Sequence, residues 1–375
     1  MHTSGILKHQ ERVYFRLTDD IDMQDYLSSN SWTPLNVDSP YDYLVDFDGD
    51  DHTISHFSCS SSKDPSFFGV LYGSCHDVTF ADASITSSNG PCGIVAGYIG
   101  YTNKRAVVHN VHVSGTVTRT GSGTQGTGGM GGIVNFSSIE SCSSTVSINV
   151  TGTDFVGGLI GRDDGDPSHI RNCWTSGTIY GNQKIGGVIG GLIKAESEVI
   201  NCFSTAAIDA MRFAGGIIGD ACLDAGSSNH YKEAATLTPD NVVKGCIAWQ
   251  STFATRDVRT GPVDSWGSGA IIGLTALKNY LTDCRRNASL DTHWTEVNGV
   301  SPYDQENATP GSPLVITNPA PATMLHYYPY HGKAYSGTLS ACARSLGWDE
   351  DVWDLSGSTP VLTGKVQDDG LASGD

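Results

Sequence analysis

Apolar residues come along this chain in short runs of three to five, rich in Val and Ile and punctuated by Gly, Asn, Ser and Thr. That rhythm predicts strands. No stretch of the patterned region carries apolar residues at helical spacing over ten or more positions. Two patterns recur. The first, apolar-x-(Asn/Asp/Ser/Gly)-(Cys/Val), occurs at Cys75–Val78, Val108–Val111, Ile139–Cys142, Ile170–Cys173, Val199–Cys202, Val243–Cys246 and Leu281–Cys284. Most copies are followed six or seven residues later by another aliphatic: Ile85, Val117, Ile148, Ile179, Ile208 and Leu290.

The second pattern, Gly-(Leu/Ile/Val)-(Ile/Val)-Gly, is clearest at Gly158–Gly161, Gly187–Gly190 and Gly216–Gly219. Looser copies lie at Gly97–Gly100, Gly132–Val134 and Ala270–Gly273. The three best copies are 29 residues apart, and a period of this size belongs to a solenoid or a propeller. A propeller blade needs about 40–50 residues and four strands. The pattern therefore predicts an all-β fold, a right-handed parallel β-helix. About ten coils stacked at the ~4.8 Å strand spacing would give a rod about 48 Å long. In such a stack each coil covers the apolar side chains of the next. Gly at the corners supplies positive φ or close approach, and Asn in the turn column suits the left-handed conformation.

Composition narrows the function classes. The chain has 375 residues, 40 acidic against 22 basic side chains and a net charge of −18. With no Lys/Arg cluster, this charge speaks against nucleic acid as a partner. No apolar run reaches the ~18 residues of a membrane span. The start, Met1–Leu7, has no apolar signal core, which on its own suits a cytosolic chain, a mature fragment or a trimmed one.

Ten cysteines raise the question of disulfides. The column of Cys142, Cys173, Cys202, Cys246 and Cys284 holds Val78 and Val111 in its first two copies. A site that exchanges Cys with Val is chosen for small apolar packing, so a ladder of buried free thiols is expected. Cys59, Cys92, Cys222 and Cys342 lie outside the column and stay open. Without a Cys-x-x-Cys pair or matching His spacing, no metal site is expected.

These residues resemble the GLUG-motif family of parallel β-helices, found in surface and secreted proteins of gut Bacteroidetes. The resemblance rests on Val156–Gly161 with Asn172–Gly177, and on Gly215–Gly219 with Asn201–Thr205. Tyr14–Asp22 and Phe47–Ile54 are similar to the family's lead-in, and Leu346–Asp349 through Trp353–Leu362 to its closing segment. It spans roughly residues 13–362. The resemblance implies a secreted or cell-surface location. Some chains with these repeats are labelled immunoglobulin A proteases, but no peptidase motif carries over.

The expected organisation is an N-terminal cap and first coil over 1–60, repeats over 61–300, and a Pro-rich wrapping loop with a C-terminal cap over 301–375. Ser336–Leu346 is the best helix candidate, with Gly347 as its stop; Trp348, Trp353 and Leu355 are expected to cover the last coil. Two insertions, Asp220–Asn241 and Phe253–Ser268, lengthen single arcs and either bind something or decorate the surface.

Two groups could carry chemistry. Tyr327, Tyr328, Tyr330 and His331 form an aromatic cluster suited to sugar faces, or else pack the cap onto the rod. Arg162, Asp163, Asp164 and Asp166 are the compact catalytic alternative, since a β-helix lyase needs clustered carboxylates and a basic residue. The Asp46, Asp48, Asp50 and Asp51 group lacks the terminal Glu of a calcium loop, and the resemblance implies that it is a turn.

The leading expectation is a non-catalytic, monomeric module without a cofactor, contacting a glycan or a host or cell-surface protein. Alternatives are a carbohydrate-active lyase or hydrolase, and a rigid spacer.

Overall fold

Short Val/Ile strands with one apolar face cannot bury that face alone, and the chain solves this by winding. The computed structural model describes residues 12–366, apart from 37–42, 62, 103, 122, 166, 194–195, 222–240, 256–267, 277–278, 293–306 and 309–326. Successive windings pair in parallel and in register. The first apolar position of the repeated pattern forms one unbroken row, Cys75–Val108–Ile139–Ile170–Val199–Val243–Leu281. The aliphatic after the turn forms another, Ile85–Val117–Ile148–Ile179–Ile208–Phe253. Among the described residues, parallel pairing begins at Arg12–Arg16, which lies beside Leu44–Asp48.

The Gly-rich pattern builds a separate sheet. Phe68–Leu71, Ala96–Ile99, Gly131–Val134, Ile160–Asp163, Ile189–Leu192, Ile218–Ala221 and Ile272–Ala276 stack in parallel, and Tyr327–Tyr330 closes the edge antiparallel. Six windings separate the first and last of these seven parallel strands. Ten is therefore too many, because part of the C-terminal region does not join the stack. The class, a parallel β-helix, is as expected.

Between the two faces of the larger sheet runs a column of left-handed residues. Asp77, Asn110, Ser141, Asn172, Asn201, Gly245 and Asp283 have φ from 50° to 63°. Short polar side chains and Gly tolerate this conformation best. The corner glycines serve another purpose. A Cβ on Gly158 would collide with the Gly187 carbonyl, and one on Gly187 with the Gly216 carbonyl. Neither has positive φ; both permit close approach of backbones.

All nine described cysteines are free and buried; Cys222 lies outside the described residues. Each thiol of the column points at the carbonyl of the preceding winding, for instance Cys173 Sγ to Ile139 O at 3.8 Å and Cys246 Sγ to Val199 O at 3.4 Å. Burial pushes the Cys173, Cys246 and Cys284 thiols well up, away from the reactive thiolate.

The C-terminal helix, Leu339–Ser345, lies inside the expected range; Thr338 caps it by accepting from Ala341 N at 3.2 Å, and Gly347 at φ 72° follows it. Its destination differs from expectation. Trp348, Trp353 and Leu355 do not cover the last coil but lie along the flank. Trp353 Nε1 donates to Asn172 Oδ1 at 3.3 Å and Trp348 Nε1 to the Gly245 carbonyl at 3.0 Å. Phe203 and Ile247 join them in a second apolar core, because the row holding Trp174, Phe203 and Ile247 presents large apolar groups outward. The strap reaches Ser141, whose hydroxyl donates to the Lys365 carbonyl at 3.2 Å. Most of the two insertions and of the Pro-rich stretch lies outside the described residues.

Two stability outcomes follow. Cys173→Val should cost less than ~1.5 kcal/mol in urea unfolding, as a nearly isosteric exchange. Trp353→Ala should cost about 3–5 kcal/mol and make the 339–366 segment the first to be cut by a protease.

Candidate functional site

The acidic groups named from sequence are held by the fold. Arg162 pairs with Asp164 and lies over the Phe155 ring at 5.5 Å. Asp163 is fully buried and accepts from Ser168 Oγ at 3.3 Å and from Ser197 Oγ, tying two windings together. Asp166 lies outside the described residues. Asp46 pairs with Arg12 at 3.1 Å, while Asp48 and Asp50 both pair with Arg16, at 3.5 and 2.5 Å. Asp50 and Asp51 have φ of 50° and 63°, as in the turn that the resemblance implies.

The aromatic cluster divides. Tyr330 is fully buried, and His331 is buried with Nδ1 accepting from Ala270 N at 3.2 Å. Both hold the last strand onto the solenoid. Tyr327 and Tyr328 belong to that strand, beside Ala276 and Thr275, and their side chains are not described.

A different group stands out on the turn column. In-register stacking brings the second position of the repeated pattern into a row, Asp48–His76–His109–Glu140–Arg171. The His76 and His109 rings stack at 4.8 Å, 11° from parallel. His76 Nδ1 lies 2.8 Å from Asp77 Oδ2 and 3.8 Å from Asp48 Oδ1. Asn110 Nδ2 donates to Asp77 Oδ1 at 2.7 Å, and Asn110 Oδ1 lies 3.2 Å from His112 Nε2. His112 Nδ1 in turn lies 2.8 Å from Ser143 Oγ. A polar chain thus runs His76–Asp77–Asn110–His112–Ser143 across three windings.

His109 Nδ1, in contrast, is buried without a hydrogen-bond partner. Burial, reinforced by the neighbouring His76, holds the His109 pKa below the ordinary imidazole value, and burial does the same for His112. Burial also pushes Asp77 up, but hydrogen bonds from Asn110 and His76 outweigh it and its net shift is downward. The described part of the strap reaches Ser141, and the His76 and His109 rows lie in the windings before that residue.

This ridge was present in the repeated pattern: Cys75-His76-Asp77-Val78 and Val108-His109-Asn110-Val111 are adjacent copies. Their spacing, 33 residues, matches no short metal motif but equals one winding.

No family profile matches the chain, and no curated protein matches it. A solved structure does. The chain is similar to a β-solenoid from Bacteroides ovatus described as a "putative immunoglobulin A1 protease", with 25% identity and a TM-score of 0.60. The likeness covers 96% of this chain and 88% of that one.

His331 supplies a pH test. Burial lowers its pKa from 6.5 to about 3, so the folded protein holds it neutral. The stabilisation is complete above pH 6.5 and is lost as pH falls from there toward 3. At pH 4 the loss should be about 3 kcal/mol, read by urea unfolding, and His331→Gln should flatten that acid limb.

Proposed function

We propose that this chain is a non-catalytic β-helix module of the GLUG-repeat type, secreted or held at the cell surface, that binds a glycan or a surface protein. The observation that carries the reading is the polar ridge. Donors, acceptors and rings stand in straight rows on a stiff scaffold, repeating at the ~4.8 Å winding distance. Such rows suit an extended ligand with repeating polar groups, and pre-organisation lowers the ordering cost of binding. The flat rings of Tyr327 and Tyr328 are the proposed second contact, with Tyr330 and His331 as anchors of their strand. Likeness to a solved Bacteroides ovatus structure supports the β-helix part of this reading.

A second reading, hydrolysis, has one observation in its favour. Ser143 Oγ, His112 and Asn110 form a hydrogen-bonded series with the polarity of a nucleophile, base and orienting amide. The solved relative carries a protease label. Ser143 is only 4% exposed in a strand flanked on both sides, which closes the approach to a scissile carbonyl.

Incubation with a polysaccharide panel, with and without Ca²⁺, and with immunoglobulin A1 should give no new reducing ends, unsaturated products or peptide fragments. Retention on a mucin or glycan column should fall when Tyr327 and Tyr328 are replaced by Ala, and when His112 is. Products abolished by Ser143→Ala would replace binding by hydrolysis; neither retention nor products would leave a spacer.

A further inference from the structure

We propose that His76, Asp77 and His109 bind a divalent transition-metal ion, zinc being the best fit to their chemistry. Two imidazoles and a carboxylate are a donor set that Zn²⁺ takes readily. One ligand atom from each of the three residues can be chosen so that all lie within 4.8 Å of one another. A tetrahedron of ~2.1 Å bonds has edges of about 3.4 Å, so the group must close by little more than an ångström. Backbone register already fixes His76 beside His109. Only side-chain torsions need change, and the terminal torsion of His is broad.

Each donor is prepared. His109 Nδ1 is the buried nitrogen that has no hydrogen-bond partner; a metal ion would supply one. Asn110 occupies Asp77 Oδ1 and leaves Oδ2 on the side of the His76 ring. That amide is itself positioned by His112. Supporting hydrogen bonds of this kind orient metal ligands. Asp48 stands at the fourth side, its Oδ2 on Arg16 and its Oδ1 3.8 Å from His76 Nδ1. It can ligate directly or through water. Asp46 and Asp50 are taken up by Arg12 and Arg16, and the chain's net charge of −18 favours cations near its surface.

This site does not depend on the ridge's binding a glycan. The test is titration of the tag-free 375-residue chain with Co²⁺ and then Zn²⁺, in the absence of any glycan. One equivalent of Co²⁺ should develop the intense visible bands of a tetrahedral site, and Zn²⁺ should bleach them. His76→Ala and His109→Ala should each weaken binding at least tenfold, and Asn110→Ala about 10–100-fold. Zn²⁺ should raise the melting temperature of the wild type in a concentration-dependent way and leave that of His109→Ala unchanged, which separates ligand loss from misfolding. His52→Ala and His56→Ala, in the separate pairs with Asp20 and Asp22, should bind as wild type. Absence of one-to-one binding, or wild-type affinity in His76→Ala and His109→Ala, would overturn the site.

Discussion

Register between windings is the constraint on which the rest depends. Every inward apolar side chain is covered by its counterparts above and below, so one winding out of step would expose a whole row. Glycines at 158, 187 and 216 let the backbones come close enough for this. The left-handed column from Asp77 to Asp283 turns the chain at the same place each time. Buried thiols fill the small space that Val fills in the first two windings, each reaching back to a carbonyl one winding away.

The same register orders the outside. Whatever residue follows an inward apolar one is placed beside its equivalents, whether or not it packs. On one face this produces Trp174–Phe203–Ile247, an apolar row that would be exposed if the strap carrying Trp348 and Trp353 did not lie across it. On the ridge it produces Asp48–His76–His109 and the polar chain to Ser143. Core and surface rows are two products of one repeat.

The candidate site follows from this ordering and not from a local motif. Asp163, which stood in the most compact acidic cluster, is used to join two windings through Ser168 and Ser197. A buried carboxylate held by two hydroxyls is a structural group. The ridge, in contrast, combines imidazoles and a carboxylate from neighbouring windings.

Period, strand character, the thiol column, the left-handed turn and the helix before Gly347 were all readable in the order of residues, because each is set by local propensity or by a repeating apolar pattern. Stacking was implied by the same period. Two things were not. The direction of the strap depends on which outward row is apolar enough to hold Trp348 and Trp353, a competition between surfaces distant in sequence. The meeting of His76 with His109 depends on 33 residues making one full turn, so that lateral neighbours in space are far apart along the chain. Sequence alone determined what each winding is made of; tertiary structure decided which side chains of different windings stand together, because contact across the stack is set by geometry that no single segment contains.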